Sequence, residues 1–454
     1  MKTLNKILIA NRGDIAVRII RTCREMGIKT VAIYSDADRD CIHRFLADES
    51  ICIGPGNIAK SYNNIDNILY IAEKLECDAI HPGFGFLSEN PEFVRRCKEK
   101  NIIFIGPSEE QMVLMGDKSK ARSTMQKLGV PVVPGSKAVL KDKEEAKKMA
   151  EEIGYPVMIK ASAGGGGRGM RIVHQPEDLE KSFEIAKSEA ISYFKNGDLY
   201  MEKFIQNPRH IEVQVFGDKF GNAIHLGERD CSMQRRNQKM IEESPSCYLN
   251  DEERKGLYES ALKAVKGTNY KGAGTVEFIV DKDKNFYFIE MNTRIQVEHP
   301  VTEMIVDKDL IKLQIQIAAG NPIPFKQEDV LMRGHVIECR INAENPESGF
   351  TPCPGEIEEI NIPGGFGVRF DTFVYAGYSI PPLYDSMIGK LICKADTKEE
   401  CVAKMNGALD ELIIDGIKTN IEFQRELINS DEFLNDTHDT GFIEKKLNER
   451  IGDR

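Results

Sequence analysis

Short apolar runs alternate with amphipathic stretches along the first hundred residues, and this alternation constrains the fold more than any other feature of the chain. The amphipathic stretches have helical periodicity, whereas the apolar runs are short and end in polar turns. We predict strands at 6–10, 30–34, 79–81 and 102–105 and helices at 15–26 and 65–75. Strands that alternate with helices form a doubly wound parallel sheet, so the sequence predicts a Rossmann-like amino-terminal domain.

A sheet of this kind is also typical of dinucleotide-binding dehydrogenases. Asp36 and Asp38 follow the second predicted strand, where an acid that binds ribose would lie. However, the first turn, residues 11–14, reads Asn-Arg-Gly-Asp and has one glycine in place of the G-x-G-x-x-G series. Because a pyrophosphate needs those glycines to approach the backbone, we expect this sheet to support a cleft instead.

Bulk properties exclude several classes of protein. The chain has 454 residues, and single cores stop growing at about 250–300, so several domains with a cleft between them are expected. Its formal net charge of −11 argues against a general nucleic-acid or anionic-membrane binder. Eleven cysteines without a C-x-x-C pair are typical of reduced thiols in a cytoplasmic protein. No apolar stretch approaches the ~20 residues of a membrane span, and no signal-peptide core is present.

A glycine run at 163–169 lies between a predicted strand that ends near Lys160 and a short strand at 170–173. Glycines let backbone N–H groups approach phosphate oxygens closely, and Lys160 supplies a cation. The run is not a Walker loop, because no G-K-[ST] follows. A surface hairpin without a ligand is the alternative. A proline-rich junction before the run indicates a small inserted domain at about 133–204.

Two strands, 275–280 and 286–292, flank a polar turn and predict a β-hairpin. The midpoint between Glu277 and Glu290 lies in that turn, so the two carboxylates should lie opposite each other. Like charges so placed are destabilising unless they share a cation. With the amide oxygen of Asn292 they suit Mg²⁺, which keeps positions for water and substrate phosphates. A solvated sheet face with protective charges is the other interpretation.

The stretch 293–300 directly follows this hairpin and places a guanidinium, an amide and a carboxylate beside the proposed metal site. Arg294 has a planar fork that matches a planar anion such as bicarbonate, and Glu298 can act as a general base. Residues 228–239 carry several cations and glutamines, and we predict a basic loop that gathers phosphate. Either pattern alone is more typical of a surface loop. The prediction of an anion site at 293–300 therefore rests on its position directly after the hairpin with the proposed metal site.

Several motifs, in order along the chain, resemble biotin carboxylase, a member of the ATP-grasp superfamily. The matching segments are 11–13, 81–90, 115–118, 160–170, 228–239, 290–300, 335–344 and 384–390. The resemblance implies a multidomain protein of α/β and α+β class. It would comprise a Rossmann-like amino-terminal domain at 1–115, an ATP-grasp domain at 116–325 with a mobile lid at about 133–204, and a carboxyl-terminal biotin carboxylase domain at 332–447.

The resemblance also implies roles for individual residues. ATP would be bound by Lys118, Lys160, Gly165, Gly166, Gly167, Glu202, Lys203, Ile205, His210, Gln234, Asn237, Glu277 and Glu290. Two Mg²⁺ or Mn²⁺ ions would be held by Glu277, Glu290 and Asn292. Bicarbonate would be bound by Lys239, Arg294, Gln296, Val297 and Glu298. Biotin would contact Phe84 and Arg340. The catalytic groups would be Glu298 as base, Arg340 as stabiliser of the enolate-like biotin oxygen, and Arg294 and Lys239.

In the implied reaction, bicarbonate attacks the γ-phosphate of ATP to give carboxyphosphate, which breaks down to CO₂ and phosphate before biotin is N-carboxylated. Lid closure would exclude water, because carboxyphosphate hydrolyses easily. Two positions depart from the family pattern. Asn237 stands where histidine is common, and Phe84 stands where tyrosine is usual. We expect these changes to alter affinity more than reaction type.

No Ala-Met-Lys-Met biotinylation site is present, and residues 402–405, Val-Ala-Lys-Met, lie in a predicted helix. We therefore expect biotin to arrive on a separate biotin carboxyl carrier protein, with carboxyltransferase subunits nearby and a homodimeric assembly. The expected role is the first half-reaction of acetyl-CoA carboxylase. The alternatives are a subunit of a pyruvate or other acyl-CoA carboxylase, a carbamoyl phosphate-forming ATP-grasp ligase, and a non-catalytic nucleotide-binding regulator.

Overall fold

The computed structural model of the chain describes residues 4–136, 139–161, 170–194 and 196–452. The glycines expected to cover phosphate lie outside these ranges; they are Gly165, Gly166 and Gly167. Among the described residues, no helix combines the length and the apolar character needed to cross a membrane.

A five-stranded parallel sheet with strand order β3-β2-β1-β4-β5 forms the amino-terminal part. Its elements are β1 Lys6–Ile9, α1 Gly13–Glu25, β2 Lys29–Tyr34, α2 Ile42–Leu46, β3 Glu49–Cys52, α3 Ile65–Lys74, β4 Ala79–His81, α4 Pro91–Glu99 and β5 Ile103–Phe104. Helix α1 buries Ile15, Ile19 and Ile20 in the core beside this sheet, because their spacing places them on one helical face. The predicted doubly wound sheet is confirmed, although the short strand β3 was not predicted.

The turns after β1 and β4 meet at the carboxyl edge of this sheet. Asn11, in the first turn, donates its Nδ2 hydrogens to the backbone carbonyls of Pro82 and Phe84, each at 2.7 Å. The strand order changes direction at this edge, which is where doubly wound sheets place their ligand sites. The edge therefore brings Phe84 and the start of α1 close together.

A small antiparallel sheet with order β7-β6-β8 follows along the chain. The elements of this segment are α5 Glu109–Gly116, α6 Lys118–Lys127, α7 Lys143–Ile153, β6 Val157–Ala161, β7 Met170–Val173, α8 Leu179–Phe194 and β8 Leu199–Lys203. Ile159 and Met201 of the sheet pack with Ala146 and Phe183 of its helices in a hydrophobic core of their own. The sheet and the helices α7 and α8 fall within the limits of about 133–204 predicted for an inserted unit, and that domain assignment stays a prediction.

The remaining elements complete the molecule. The central ones are β9 Arg209–Gly217, β10 Ala223–Arg235, β11 Gln238–Ser244, α9 Asp251–Gly267, β12 Gly272–Val280, β13 Phe286–Asn292, α10 His299–Val306 and α11 Leu310–Ala318. The carboxyl-terminal ones are β14 His335–Asn342, β15 Glu344–Asn345, β16 Thr351–Pro352, β17 Gly355–Glu356, β18 Glu359–Asn361, β19 Val368–Thr372, β20 Ser379–Ile380, β21 Met387–Ala395, α12 Lys398–Glu411, β22 Ile413–Asp415, α13 Ile421–Ile428, α14 Asp431–Leu434 and α15 Phe442–Gly452.

An eight-stranded antiparallel sheet joins the central and carboxyl-terminal parts, in the order β13-β12-β9-β10-β11-β14-β21-β19. The junction is the pair β11–β14, in which Glu242 lies opposite Glu338. The sequence did not predict this continuity, because a proline-bearing linker separates the two parts and long-range strand pairing leaves no local signal. The shared sheet places Arg340 of β14 next to residues of β11.

The expectation of a basic loop at 228–239 is wrong. These residues form most of β10 and the start of β11, joined by a tight turn at Arg236 and Asn237, both with positive φ. Arg229 is fully buried on β10, where it donates to Glu212 Oε1 at 2.7 Å and to Gln214 Oε1 at 2.9 Å. The strand escaped prediction because charged residues that pair with each other take buried positions usually filled by apolar ones.

Candidate active site

A cleft of about 1390 Å³ opens between the small inserted unit, the central sheet and the start of α6. Most of the residues predicted to bind substrates line it. They are Lys118, Lys160, Glu202, His210, Gln234, Asn237, Lys239, Glu277, Glu290, Asn292, Arg294, Gln296, Val297, Glu298 and Arg340. Residues spread over nearly half of the chain therefore meet in a single cavity.

Of the predicted site residues that the structure describes, three do not line this cleft. The Nζ of Lys203 donates to the backbone carbonyls of Gly154 at 2.9 Å and Tyr155 at 3.0 Å. Ile205 follows the end of β8. Phe84 packs against the core around α1, and the Nζ of Lys390 lies 5.9 Å from its ring centroid. Their assignments to ATP and biotin stay predictions.

The hairpin β12–β13 has the register that the sequence predicts, with Glu277 directly opposite Glu290. Glu277 is buried, and its Oε1 accepts hydrogen bonds from Asn292 Nδ2 at 2.7 Å and Gln296 Nε2 at 2.8 Å. Glu290 is half-buried and lies 3.4 Å from the Nζ of Lys118, at the start of α6. One carboxylate is thus fixed in place while the other faces the open cleft.

The donors on this hairpin fit a hard divalent cation. Burial raises the pKa of Glu277, but the charges of Lys239 and His210 hold it well below its usual range, so the carboxylate is ionised at neutral pH. The Nε2 of His210 lies 3.1 Å from Glu277 Oε2. Asn292 adds a neutral oxygen, which accepts from Arg294 Nη2 at 2.9 Å. Two carboxylates and an amide oxygen are ligands that Mg²⁺ prefers.

Glu298 is a buried carboxylate held between two cations. Lys239 Nζ donates to its Oε1 at 2.7 Å, and Arg340 Nη2 donates to its Oε2 at 3.0 Å. Burial raises the pKa of Glu298, but the charges of Lys239, Arg340 and Arg229 hold it well below its usual range. An ionised carboxylate that lines the cleft and is buried away from bulk water has the protonation state that a general base requires.

The loop that carries the predicted anion residues is fixed from several directions. Glu89 of the amino-terminal part accepts from Arg294 Nε and from the backbone N–H of Thr293, each at 2.9 Å. Gln296 Oε1 accepts from Arg229 Nη2 at 2.7 Å. Fixed donors of this kind hold an anion without the cost of reorganising at the moment of reaction.

Sequence reasoning missed several charged groups that hold this site together, namely the exposed Glu89 and the buried Glu212, Glu242 and Lys390. Glu212 accepts from Lys239 Nζ at 2.5 Å, and Glu242 accepts from Arg340 Nε at 2.7 Å. One signal was available: Glu212 and Lys390 lie among mostly apolar neighbours in their strands. Buried charges without partners are costly, so a charge inside an apolar strand indicates a paired network.

The residues predicted to contact the nucleotide occupy the other side of the cleft. Lys160 of β6 forms an ion pair with Glu202 of β8. Burial lowers the pKa of His210, but the charge of Glu277 raises it above its ordinary value. Asn237 is exposed in the β10–β11 turn with a φ of 64°. Asparagine adopts this left-handed conformation more readily than most residues do, so it suits the backbone here.

Known families match the chain along nearly its whole length. The family described as "Biotin carboxylase, N-terminal domain" matches residues 3–112, and "Biotin carboxylase C-terminal domain" matches residues 338–445. Between them, the family "Carbamoyl-phosphate synthase L chain, ATP binding domain" matches residues 117–326.

Individual relatives agree with the family matches. Biotin carboxylase 1 of Bacillus subtilis is 53% identical over 97% of this chain and 98% of its own length. The structure of a biotin carboxylase–β,γ-ATP complex from Campylobacter jejuni is 54% identical, covers 98% of this chain and 99% of its own, and has a TM-score of 0.92. A biotin carboxylase domain dimer of Hydrogenobacter thermophilus 2-oxoglutarate carboxylase, with MgADP and bicarbonate, is 50% identical over 98% of each chain, with a TM-score of 0.90. This chain belongs to the biotin carboxylase family.

Proposed function

We propose that the chain catalyses the ATP- and bicarbonate-dependent N-carboxylation of biotin carried on a biotin carboxyl carrier protein, with ADP and phosphate as the other products. The observation that carries this proposal is the position of Glu298. It is a buried carboxylate between Lys239 and Arg340, in the same cleft as the Glu277–Glu290 hairpin. Solved relatives that contain an ATP analogue, MgADP and bicarbonate support it.

ATP would occupy the side of the cleft near the inserted unit. Lys118, Lys160 and His210 would bind its phosphates, while Glu202, Lys203 and Ile205 would meet the adenine. Gln234 and Asn237 would complete the nucleotide contacts. Glu277 and Glu290 would hold two Mg²⁺ or Mn²⁺ ions with Asn292 nearby, and such ions would neutralise phosphate charge.

Bicarbonate would bind against Arg294, Gln296 and the backbone of Val297. An oxygen of bicarbonate attacks the γ-phosphorus, the bond from that phosphorus to ADP breaks, and Glu298 accepts the proton of bicarbonate. As anionic substrates attract Lys239 and Arg340 away from Glu298, the pKa of this carboxylate rises toward a value useful for a base. The product of this step is carboxyphosphate.

Biotin would approach Arg340 from the side of Phe84. Carboxyphosphate breaks down to CO₂ and phosphate, and this phosphate removes the ureido N–H proton of biotin. Arg340 then stabilises the negative oxygen of the biotin enolate while the ureido nitrogen of biotin attacks CO₂. Arg340 is suited to this role because Glu242 fixes its guanidinium through Nε at 2.7 Å.

We propose domain limits of 1–115, 116–325 and 332–447, with a lid at about 133–204. The separate hydrophobic core of the small sheet supports the lid assignment, because a unit with its own core can move without unfolding. Closure of the lid over ATP would keep water from carboxyphosphate.

Biotin would be presented by a carrier protein. Residues 402–405 lie within α12, and the Nζ of Lys404 donates to the backbone carbonyl of Lys394 at 2.5 Å. This lysine is therefore engaged in the fold. We further propose a homodimer, since a dimer is named for a relative, and a cytoplasmic location, since all eleven cysteines are free.

The final carboxyl acceptor depends on a carboxyltransferase partner. We propose acetyl-CoA, so that the chain would catalyse the first half-reaction of acetyl-CoA carboxylase. Pyruvate or another acceptor is the alternative, because the biotin carboxylase subunit of a pyruvate carboxylase is 52% identical to this chain. Co-purification of the chain with its native partners, followed by identification of the carboxyltransferase, separates these outcomes.

A carbamoyl phosphate-forming ligase is the second candidate, since the description of the family that matches residues 117–326 names carbamoyl-phosphate synthase. ATP cleavage by the purified chain, measured with bicarbonate and either biotin or ammonia, tests both candidates. We expect biotin to stimulate cleavage and ammonia to have no effect. Stimulation by ammonia alone would contradict the proposal.

A further inference from the structure

A single buried ammonium group connects the carboxyl-terminal part to the loop that carries the proposed base. Lys390 of β21 is 1% exposed, and its Nζ donates to the backbone carbonyl of Val297 at 2.8 Å. The same Nζ lies 3.1 Å from Oδ2 of Asp14, in the first turn of α1. Three segments that are far apart in sequence therefore meet at one cation.

Keeping Lys390 charged in the protein interior costs free energy, because the ammonium group is removed from water. Burial lowers the pKa of this lysine, but the charges of Asp14 and Asp371 raise it above its ordinary value, so the ammonium stays protonated. A buried ion pair is often no more stabilising than apolar residues of similar volume. Packing of β21 alone therefore does not require a lysine at this position.

The bond to Val297 acts on the backbone of the base itself, because the carbonyl that Lys390 holds belongs to the peptide group joining Val297 to Glu298. Glu298 is the residue before α10, and its side chain makes no capping bond to that helix. Its carboxylate instead bonds to Lys239 and Arg340. Arg340 lies directly opposite Lys390 in the β14–β21 pair, so the backbone anchor of the base and its cationic partner are neighbours.

We propose that Lys390, held by Asp14, is a positioning residue for carboxylation that fixes the Val297–Glu298 peptide so that the base meets bicarbonate in one geometry. Lys390 touches no substrate in this scheme and acts through the loop. The inference rests on the proposed function of the same site. It also makes helix α1 of the amino-terminal part, through Asp14, part of the support of the base.

The first test compares two lysines of the same strand. Lys394 of β21 also donates its Nζ to a backbone carbonyl, that of Met304 at 2.6 Å, so Lys394→Met is a matched control for Lys390→Met. We expect Lys390→Met to lower the kcat of biotin-dependent ATP cleavage about 100-fold, as small displacements of catalytic groups do. The KM for ATP should stay within about twofold of the parental value, since the nucleotide side of the cleft is untouched. Lys394→Met should keep a near-parental kcat.

The second test separates positioning from stability. Lys390→Met leaves Asp14 buried without its cation and should lower the urea midpoint of unfolding. The double variant Asp14→Asn/Lys390→Met removes both charges, so its urea midpoint should regain much of that loss. Its kcat should stay low, because the Val297 carbonyl is still not held.

Three results would overturn the inference. A single Lys390→Met variant with parental kcat excludes the positioning role, and so does a double variant that recovers kcat together with stability. A parental chain without biotin-dependent turnover would overturn the proposed function and this inference with it, so the parental assay distinguishes the two failures.

Discussion

The pKa of Glu338 depends on residues that are distant from it in sequence. Glu338 is fully buried on β14, opposite Glu242, and neither of its carboxylate oxygens has a hydrogen-bond partner in the described part of the chain. Burial and the charge of Glu242 raise its pKa well above the ordinary value, which favours the protonated form of Glu338. Local sequence could not predict this state, because the residues that cause it lie on other strands.

We predict that Glu338→Gln stabilises the protein at alkaline pH. A glutamate whose folded-state pKa is raised stabilises the fold most below its ordinary pKa, and that contribution is lost as pH rises toward the folded-state value. Each pH unit in that window lowers the stability of the parental chain by about 1.4 kcal/mol relative to the variant, because glutamine does not titrate. Urea unfolding at pH 5 and pH 8 measures the difference. Parallel pH dependence in the two proteins would contradict it.

At the scale of elements, the sequence predicts those strand pairings that are determined by residues close together in the chain. The β12–β13 hairpin and the opposition of Glu277 and Glu290 followed from the alternation of side chains and the position of one turn. The β10–β11 pair did not, because Arg229 and its partners replace the apolar pattern of a buried strand. The β11–β14 junction also has no local signature, since its two strands are separated by helices α9–α11 and the hairpin itself.

We predict that Glu290→Gln raises the Mg²⁺ concentration needed for half-maximal ATP cleavage about tenfold or more, because one of the two proposed carboxylate ligands is lost. Asp283→Asn, in the exposed turn of the same hairpin, is the control and should leave the Mg²⁺ requirement unchanged. Titration of Mg²⁺ at fixed ATP measures both. An unaltered Mg²⁺ requirement in Glu290→Gln would exclude this carboxylate as a metal ligand.

At the scale of the whole molecule, one active site is assembled from three parts of the chain. The amino-terminal part contributes Glu89 and Asp14, the central part contributes the hairpin and Glu298, and the carboxyl-terminal part contributes Arg340 and Lys390. The continuous eight-stranded sheet connects the central and carboxyl-terminal parts, and Arg340 and Glu242 lie on adjacent strands at their junction. The fold thus brings the proposed metal-binding hairpin, the proposed base and the guanidinium of Arg340 into one cleft.

The central claim is that the chain carboxylates biotin with Glu298 as the base. Incorporation of labelled bicarbonate into free biotin, with ATP and Mg²⁺, tests it most directly when the parental chain is compared with Glu298→Gln. We predict that the parental chain forms carboxybiotin and that Glu298→Gln forms it at least about 100-fold more slowly. ATP affinity should be largely unchanged, since the amide keeps the size of the carboxylate and lies away from the nucleotide contacts. Undiminished carboxybiotin formation by Glu298→Gln, or none by the parental chain, would contradict the claim.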